Sequence, residues 1–103
     1  MLERNYQSHL IKRIKSMLPG CVVLKNDSSY LQGIPDLLIL YGDSWAMLEV
    51  KRSAEEHHQP NQDYYVNLLH GMGYAAFIFP ENEEDILREV QRALGAGGTA
   101  RLP

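Results

Sequence analysis

A central mixed β-sheet flanked by helices, in the order α-β-β-β-α-β-α, is the α/β architecture this chain predicts. Three observations predict it. Short apolar runs alternate with segments whose apolar residues recur every three or four positions. The pair Gly42-Asp43 joins two of those runs and suits a two-residue hairpin, because Gly takes the positive φ at the first central position. A segment of helical spacing then separates the strand carrying Glu49 from the last strand, which lets those two run parallel.

Each element has its own warrant. Residues 3–18 read as an amphipathic helix, with Tyr6, Leu10, Ile14 and Met17/Leu18 in one stripe and Pro19-Gly20 ending it. Lys12, Arg13 and Lys15 lie off that stripe and read as a solvated face. Cys21 to Lys25 reads as a strand and Asn26 to Gln32 as a polar loop. Arg52 to Gln59 is a polar connection. Residues 60–70 read as a second helix, with Pro60 near its first turn, Tyr65, Leu68, Leu69 and Met72 as its stripe, and Gly71 and Gly73 ending it. Tyr74 to Phe79 is an apolar strand closed by Pro80. Asn82 is read as the cap of a last helix, with Glu83, Glu84 and Asp85 at its positive end and Ile86, Leu87, Val90 and Leu94 on its core side. Residues 1–94 make one domain, and residues 95–103 read as a flexible tail.

Composition narrows the function classes. A length of 103 residues suits one domain with a real core. Cys21 is alone, so no intrachain disulfide forms, and its apolar surroundings suit a structural thiol. No apolar run approaches a membrane span and no signal peptide is read, so the cytoplasm is the expected compartment. The net charge of −3 argues at first against nucleic acid. Its distribution argues less: residues 1–52 carry seven Lys/Arg against five Asp/Glu, and residues 53–103 carry three against eight. Three of the five acids in the first half, Glu3, Asp36 and Glu49, are candidate metal ligands.

The hairpin places the chemistry. A loop of Gly42-Asp43 pairs Tyr41 with Ser44, Ile39 with Ala46, Leu37 with Leu48 and Asp36 with Glu49. Opposed residues share a face with Cβ atoms roughly 5 Å apart. Lys51 falls on that face one step further, while Leu37, Ile39, Leu48 and Val50 take the other. A slip of one residue would separate the carboxylates. Burying them is costly unless a cation compensates. Mg²⁺ takes hard oxygen ligands and keeps several waters; Asp36, Glu49 and the Val50 backbone carbonyl offer such oxygens. A metal beside a carboxylate pair and a lysine is an arrangement for cleaving phosphodiesters. Lys51 would lie near the attacking water. Gln62, at the start of its helix, could bond that water or a phosphate. Arg52, Lys25, Lys12 and Lys15 are candidate phosphate contacts, and Ser28 and Ser29 lie in the loop before the site.

Plainer readings stand beside these. Asp36, Glu49 and Lys51 also fit a structural ion pair at a sheet edge; Gln62 and the order of elements weigh toward a metal site. Glu3 also fits a first-turn acid favoured by the helix dipole. His57 and His58, with one distant Cys21, lack the spacing of a zinc site. Trp45 suits a loop aromatic, a packing residue or a dimer contact.

The ordered set Gly33-Ile34-Pro35-Asp36, then Glu49-Val50-Lys51-Arg52, then Pro60-Asn61-Gln62 with Leu69 and Gly73 after it, together with Glu3 on the first helix, resembles the PD-(D/E)xK nuclease superfamily. Within it the chain looks most like the stand-alone VRR-NUC domains of phages and bacteria, which are similar to Holliday-junction resolvases. The resemblance runs from Glu3 to about Leu94. It implies a restriction-endonuclease-like core and a Mg²⁺-dependent endonuclease, with Mn²⁺ as a substitute, acting on structured DNA such as four-way junctions or flaps. It implies catalytic roles for Asp36, Glu49, Lys51 and Gln62, and a place for Glu3 in the metal shell through water. Relatives often carry a second acid on the first helix, where this chain has Gln7. A two-fold homodimer would match a two-fold junction. Alternatives are a general nuclease of phage or bacterial recombination, replication or restriction, a subunit that cuts only with a partner, and a catalytically inert DNA-binding module of the same fold.

Overall fold

The structure, a computed structural model, describes residues 2–95. The expected tail lies outside the described residues beyond Gly95. The elements are α1 (Glu3–Met17), β1 (Val22–Lys25), β2 (Leu37–Tyr41), β3 (Ser44–Val50), α2 (Gln62–Met72), β4 (Tyr74–Ile78) and α3 (Glu83–Ala93), with one 3₁₀ turn (Pro80–Asn82) before α3. Their order is the expected one. The strands form one sheet in the order β1-β2-β3-β4, antiparallel across the first two pairings and parallel across the last.

Gly42 sets the hairpin. It sits at φ +61, a region that costs side-chain-bearing residues. The turn pairs Tyr41 with Ser44, Ile39 with Ala46 and Leu37 with Leu48. Alternation then sends Leu37, Ile39, Leu48 and Val50 into the core, where all four are fully buried. Tyr6, Leu10 and Ile14 of α1 and Leu87 and Val90 of α3 close over that face. The helix α2 packs on β3 and β4 from the other side, where its first residue meets Glu49.

Several boundaries and faces differ from expectation. β1 begins at Val22, after Cys21. The second helix starts at Gln62 rather than 60, because Asn61 takes a left-handed conformation at φ 71. It runs through Gly71 and stops at Gly73. Its inward residues are Gln62, Tyr65, Val66 and Leu69, so Tyr65 and Leu69 of the expected stripe turn inward, while Leu68 and Met72 are 39% and 65% exposed. The start of the helix must bring Gln62 to the sheet, and that fixes which stripe turns inward. Gly73 lies against the indole of Trp45, which a Cβ there would meet at 2.7 Å, so Trp45 is a packing residue.

The last helix is not capped by the Asn82 side chain. That amide instead accepts from Phe79 N at 2.9 Å and donates to Phe77 O at 3.1 Å, fixing the turn out of β4. Glu83 is also more than a dipole acid. It is buried, it accepts from the Tyr6 hydroxyl at 2.8 Å, and it pairs with Arg13, which also bonds Glu84. Arg13 therefore ties α1 to α3 instead of facing solvent. Among the described residues no helix is long and apolar enough to cross a membrane.

Candidate active site

The chain enters β2 through Pro35, and Asp36 sits at the edge of the sheet just where β2 begins. Asn26 braces this entry: its backbone N–H bonds Asp36 O and its amide bonds Pro35 O, both at 2.8 Å. The Asp36 carboxylate turns to β3 and accepts from Val50 N–H at 2.9 Å. A residue's N–H and C=O point to the same edge of a strand, so the Val50 carbonyl faces that side too. Lys51 N–H points the opposite way, to Ile78 O of β4 at 2.9 Å.

Glu49 and Lys51 are each only 3% exposed. Lys51 Nζ donates to Gln62 Oε1 at 2.7 Å and to His57 O at 3.1 Å, and it lies 4.0 Å from Glu49 Oε2. Gln62 closes the arrangement by donating from Nε2 to Glu49 Oε2 at 2.9 Å. Its own orientation is set from behind, because Gln62 Oε1 also accepts from Gln59 N–H at 2.8 Å. Among the described residues no N–H or hydroxyl reaches the buried Glu49 Oε1. Buried polar atoms are almost always satisfied, so this oxygen calls for an explanation.

The electrostatics point the same way. Burial first, then the Asp36 charge, pushes Glu49 up to about 9, against the pull of Lys51. Burial also raises Asp36, although Val50 N–H and Lys51 oppose it. The two carboxyl groups are close enough to share a proton. Glu3 on the first helix is raised by burial and by the charges of Asp36 and Glu56. Without a bound cation, one ammonium and a proton held between the carboxyl groups must offset their charge. A hard dication fits the donor set: the Asp36 and Glu49 carboxylates, the Val50 carbonyl and water. Among the described residues no three His, Cys, Asp or Glu side chains come together as a metal cage.

Sequence reasoning missed three contributors. Glu56 accepts from Arg52 N–H at 2.5 Å and from Arg52 Nε at 3.3 Å, which ties that guanidinium to the loop. Burial works upward on Glu56, but Arg52 and Lys51 outweigh it and hold it low. His57 contributes its backbone carbonyl rather than its ring. His58 anchors the same loop by stacking on Phe77 at 4.1 Å and pairing with Asp63 at 2.8 Å. None of these lies in a periodic segment, so no pattern could flag them.

The expected DNA contacts are scattered. Lys25 pairs in register with Leu37, next to Asp36. Ser28 and Ser29 line a cavity that reaches Gln62. Lys12 and Lys15 are exposed on α1, about 13 and 18 Å along the helix from Glu3. They face solvent well away from the carboxylates.

Comparison with known proteins gives the fold a relative. The chain matches no family model and no curated protein. Among solved structures it is similar to a VRR_NUC domain protein, with a TM-score of 0.65 at 16% identity, over 99% of this chain and 98% of that one. At that identity the likeness establishes a shared fold, end to end.

Proposed function

We propose that this chain is a Mg²⁺-dependent endonuclease of the PD-(D/E)xK kind, a stand-alone VRR-NUC domain that hydrolyses phosphodiester bonds of branched DNA as a homodimer. The observation that carries the reading is the carboxyl pair itself, Glu49 buried beside Asp36, in a cluster that also holds Lys51 and Gln62. An ordinary structural ion pair would not set the Asp36 and Glu49 carboxyl groups together over one ammonium. The fold shared with a VRR_NUC domain protein adds support.

Asp36, Glu49 and the Val50 carbonyl would hold the metal. When bound, Mg²⁺ supplies an acidified water and polarises the phosphate oxygens. The rest is the work of the chain. Glu49, Gln62 Oε1 and the His57 carbonyl surround the Lys51 ammonium. That fixed charge stabilises the pentavalent phosphate as negative charge grows on it. Gln62 holds Lys51 and Glu49 in one geometry, so neither must reorganise during the reaction. Burial excludes bulk water and strengthens each of these interactions.

The test is cleavage of four-way junction, flap, single-stranded and blunt duplex DNA with Mg²⁺, Mn²⁺ or EDTA. Branched DNA should be cut only with metal, and Asp36→Ala and Lys51→Ala should each lower the rate by about 100-fold or more. Binding without cutting in either metal would leave the inert module standing. Equal cutting of every substrate would leave a general nuclease.

A further inference from the structure

We propose that the loop of residues 27–33 and the start of α2 form a subsite for an unpaired nucleotide beside the carboxylate cluster, with Tyr30 stacking on its base or on the next one. The proposal rests on the DNA-cleaving reading above and names the part of the substrate that selects it. A cavity of about 450 Å³ lies between Ser28, Ser29, Gln32 and Gly33 on one side and Gln59 and Gln62 on the other. That volume is in the range of small-ligand sites. Gln62 belongs both to the cavity and to the Lys51–Glu49 network, so the cavity adjoins the place where a phosphate would react. Among the described residues the lining offers hydroxyls and amides and no ionisable group. Such a wall suits the sugar and base edge of a nucleotide rather than an isolated ion.

The loop is built to hold a shape. Asp27 Oδ1 accepts from Ser29 N–H at 2.9 Å and from Ser29 Oγ at 2.6 Å, and Asp27 O accepts from Tyr30 N–H at 3.2 Å. Asn26 ties one end of the loop to Pro35 and Asp36 at the other. Gly33 presses its backbone against Asn61, so the loop rests on the start of α2. On this fixed turn stands Tyr30, 89% exposed, outside the cavity and beside a second hollow formed with Asn26, Asp27, Leu31 and Ile34, where it would meet the base next to the one in the cavity. An aromatic ring held in water gains little from folding, and a base face would cover it. In a duplex the faces of the bases are already stacked, so an unpaired base alone can offer one. Stacking is tolerant of sequence, so such a subsite selects DNA by structure rather than by base identity.

The experiment measures binding without cleavage, in EDTA and again with Ca²⁺. Anisotropy and 2-aminopurine fluorescence are read on a flap, a single strand and a blunt duplex, for the wild-type chain and Tyr30→Ala, Tyr30→Phe and Gln32→Glu. Tyr30→Ala should weaken flap and single-strand binding about tenfold and abolish quenching of the unpaired 2-aminopurine, while duplex binding stays the same. Tyr30→Phe should behave as wild type. Gln32→Glu, which sets a negative charge against the incoming strand, should weaken binding of unpaired DNA as well. The subsite is overturned if Tyr30→Ala binds the flap and the single strand as tightly as wild type. It is equally overturned if the wild-type chain binds unpaired DNA no better than duplex, or binds no DNA. Loss of cleavage in Mg²⁺ with the Tyr30 effect intact would sink the nuclease reading alone. Full cleavage with no Tyr30 effect would sink the subsite alone.

Discussion

Glu49 is a 3% exposed carboxylate that faces another carboxylate and accepts from Gln62 alone at Oε2. Without metal its charge is costly, and its folded value rises from an ordinary 4.5 to about 9. The sign follows from proton counting. Between those two values the folded chain binds a proton that the unfolded chain has lost, so stability falls as pH rises. The contribution is fully present below about pH 4.5 and is lost through pH 9. Each unit of displacement is worth about 1.4 kcal/mol, so even part of it moves a melt by several degrees. Glu49→Gln keeps the shape and removes the titration. In EDTA, the advantage of Glu49→Gln over wild type should grow by several degrees of Tm between pH 5 and pH 8. Parallel Tm curves for the two proteins would mean that Glu49 is not the strained group.

Elements bring these residues together, and here Gly33 matters most. It sits at φ +93, and a Cβ there would meet Asn61 Cβ at 2.6 Å and the Asn61 carbonyl carbon at 2.7 Å. Backbone cannot yield as a side-chain tip can. Gly33→Ala should therefore destabilise the fold by about 2 kcal/mol or more, read by urea melts. It should also lower cleavage more than stability loss explains, because the clash pushes on the residue before Gln62. Unchanged stability and activity in the Gly33→Ala variant would remove that constraint. The hairpin was legible without coordinates, since one Gly fixes the turn, the turn fixes the register, and the register sets Asp36 against Glu49. The face of α2 was not. Tyr65 and Leu69 turn inward as the stripe predicts, but Leu68 and Met72 do not, and the demand of Glu49 and Lys51 for Gln62 rotates the helix so that Val66 is buried instead. Glu83 shows the same limit: an acid at a helix start looks like a dipole partner until Tyr6 and Arg13 arrive from 77 and 70 positions away.

At the scale of the whole molecule, the site joins distant segments: Asp36 just before β2, Glu49 near the end of β3 with Lys51 just after it, and Gln62 on α2, with Glu3 of α1 close enough to feel the Asp36 charge. A ligand that needs all of these arranged binds the folded chain and not the unfolded one. It therefore stabilises the entire domain, not one loop, provided the chain unfolds in a single step. At a Mg²⁺ concentration ten times its dissociation constant the gain is about 1.4 kcal/mol, which for a domain of this size raises Tm by about 6 °C. Mn²⁺ should act in the same direction, EDTA should reverse both, and Asp36→Ala should abolish the rise. The same melts, run over a hundredfold range of protein concentration, read the proposed homodimer, because linked dissociation makes Tm climb with concentration. A metal rise that survives Asp36→Ala would place the ion elsewhere on the surface. A melt indifferent to millimolar Mg²⁺ and Mn²⁺ would leave a proton shared by Asp36 and Glu49 as their compensation, and the nuclease reading without its centre.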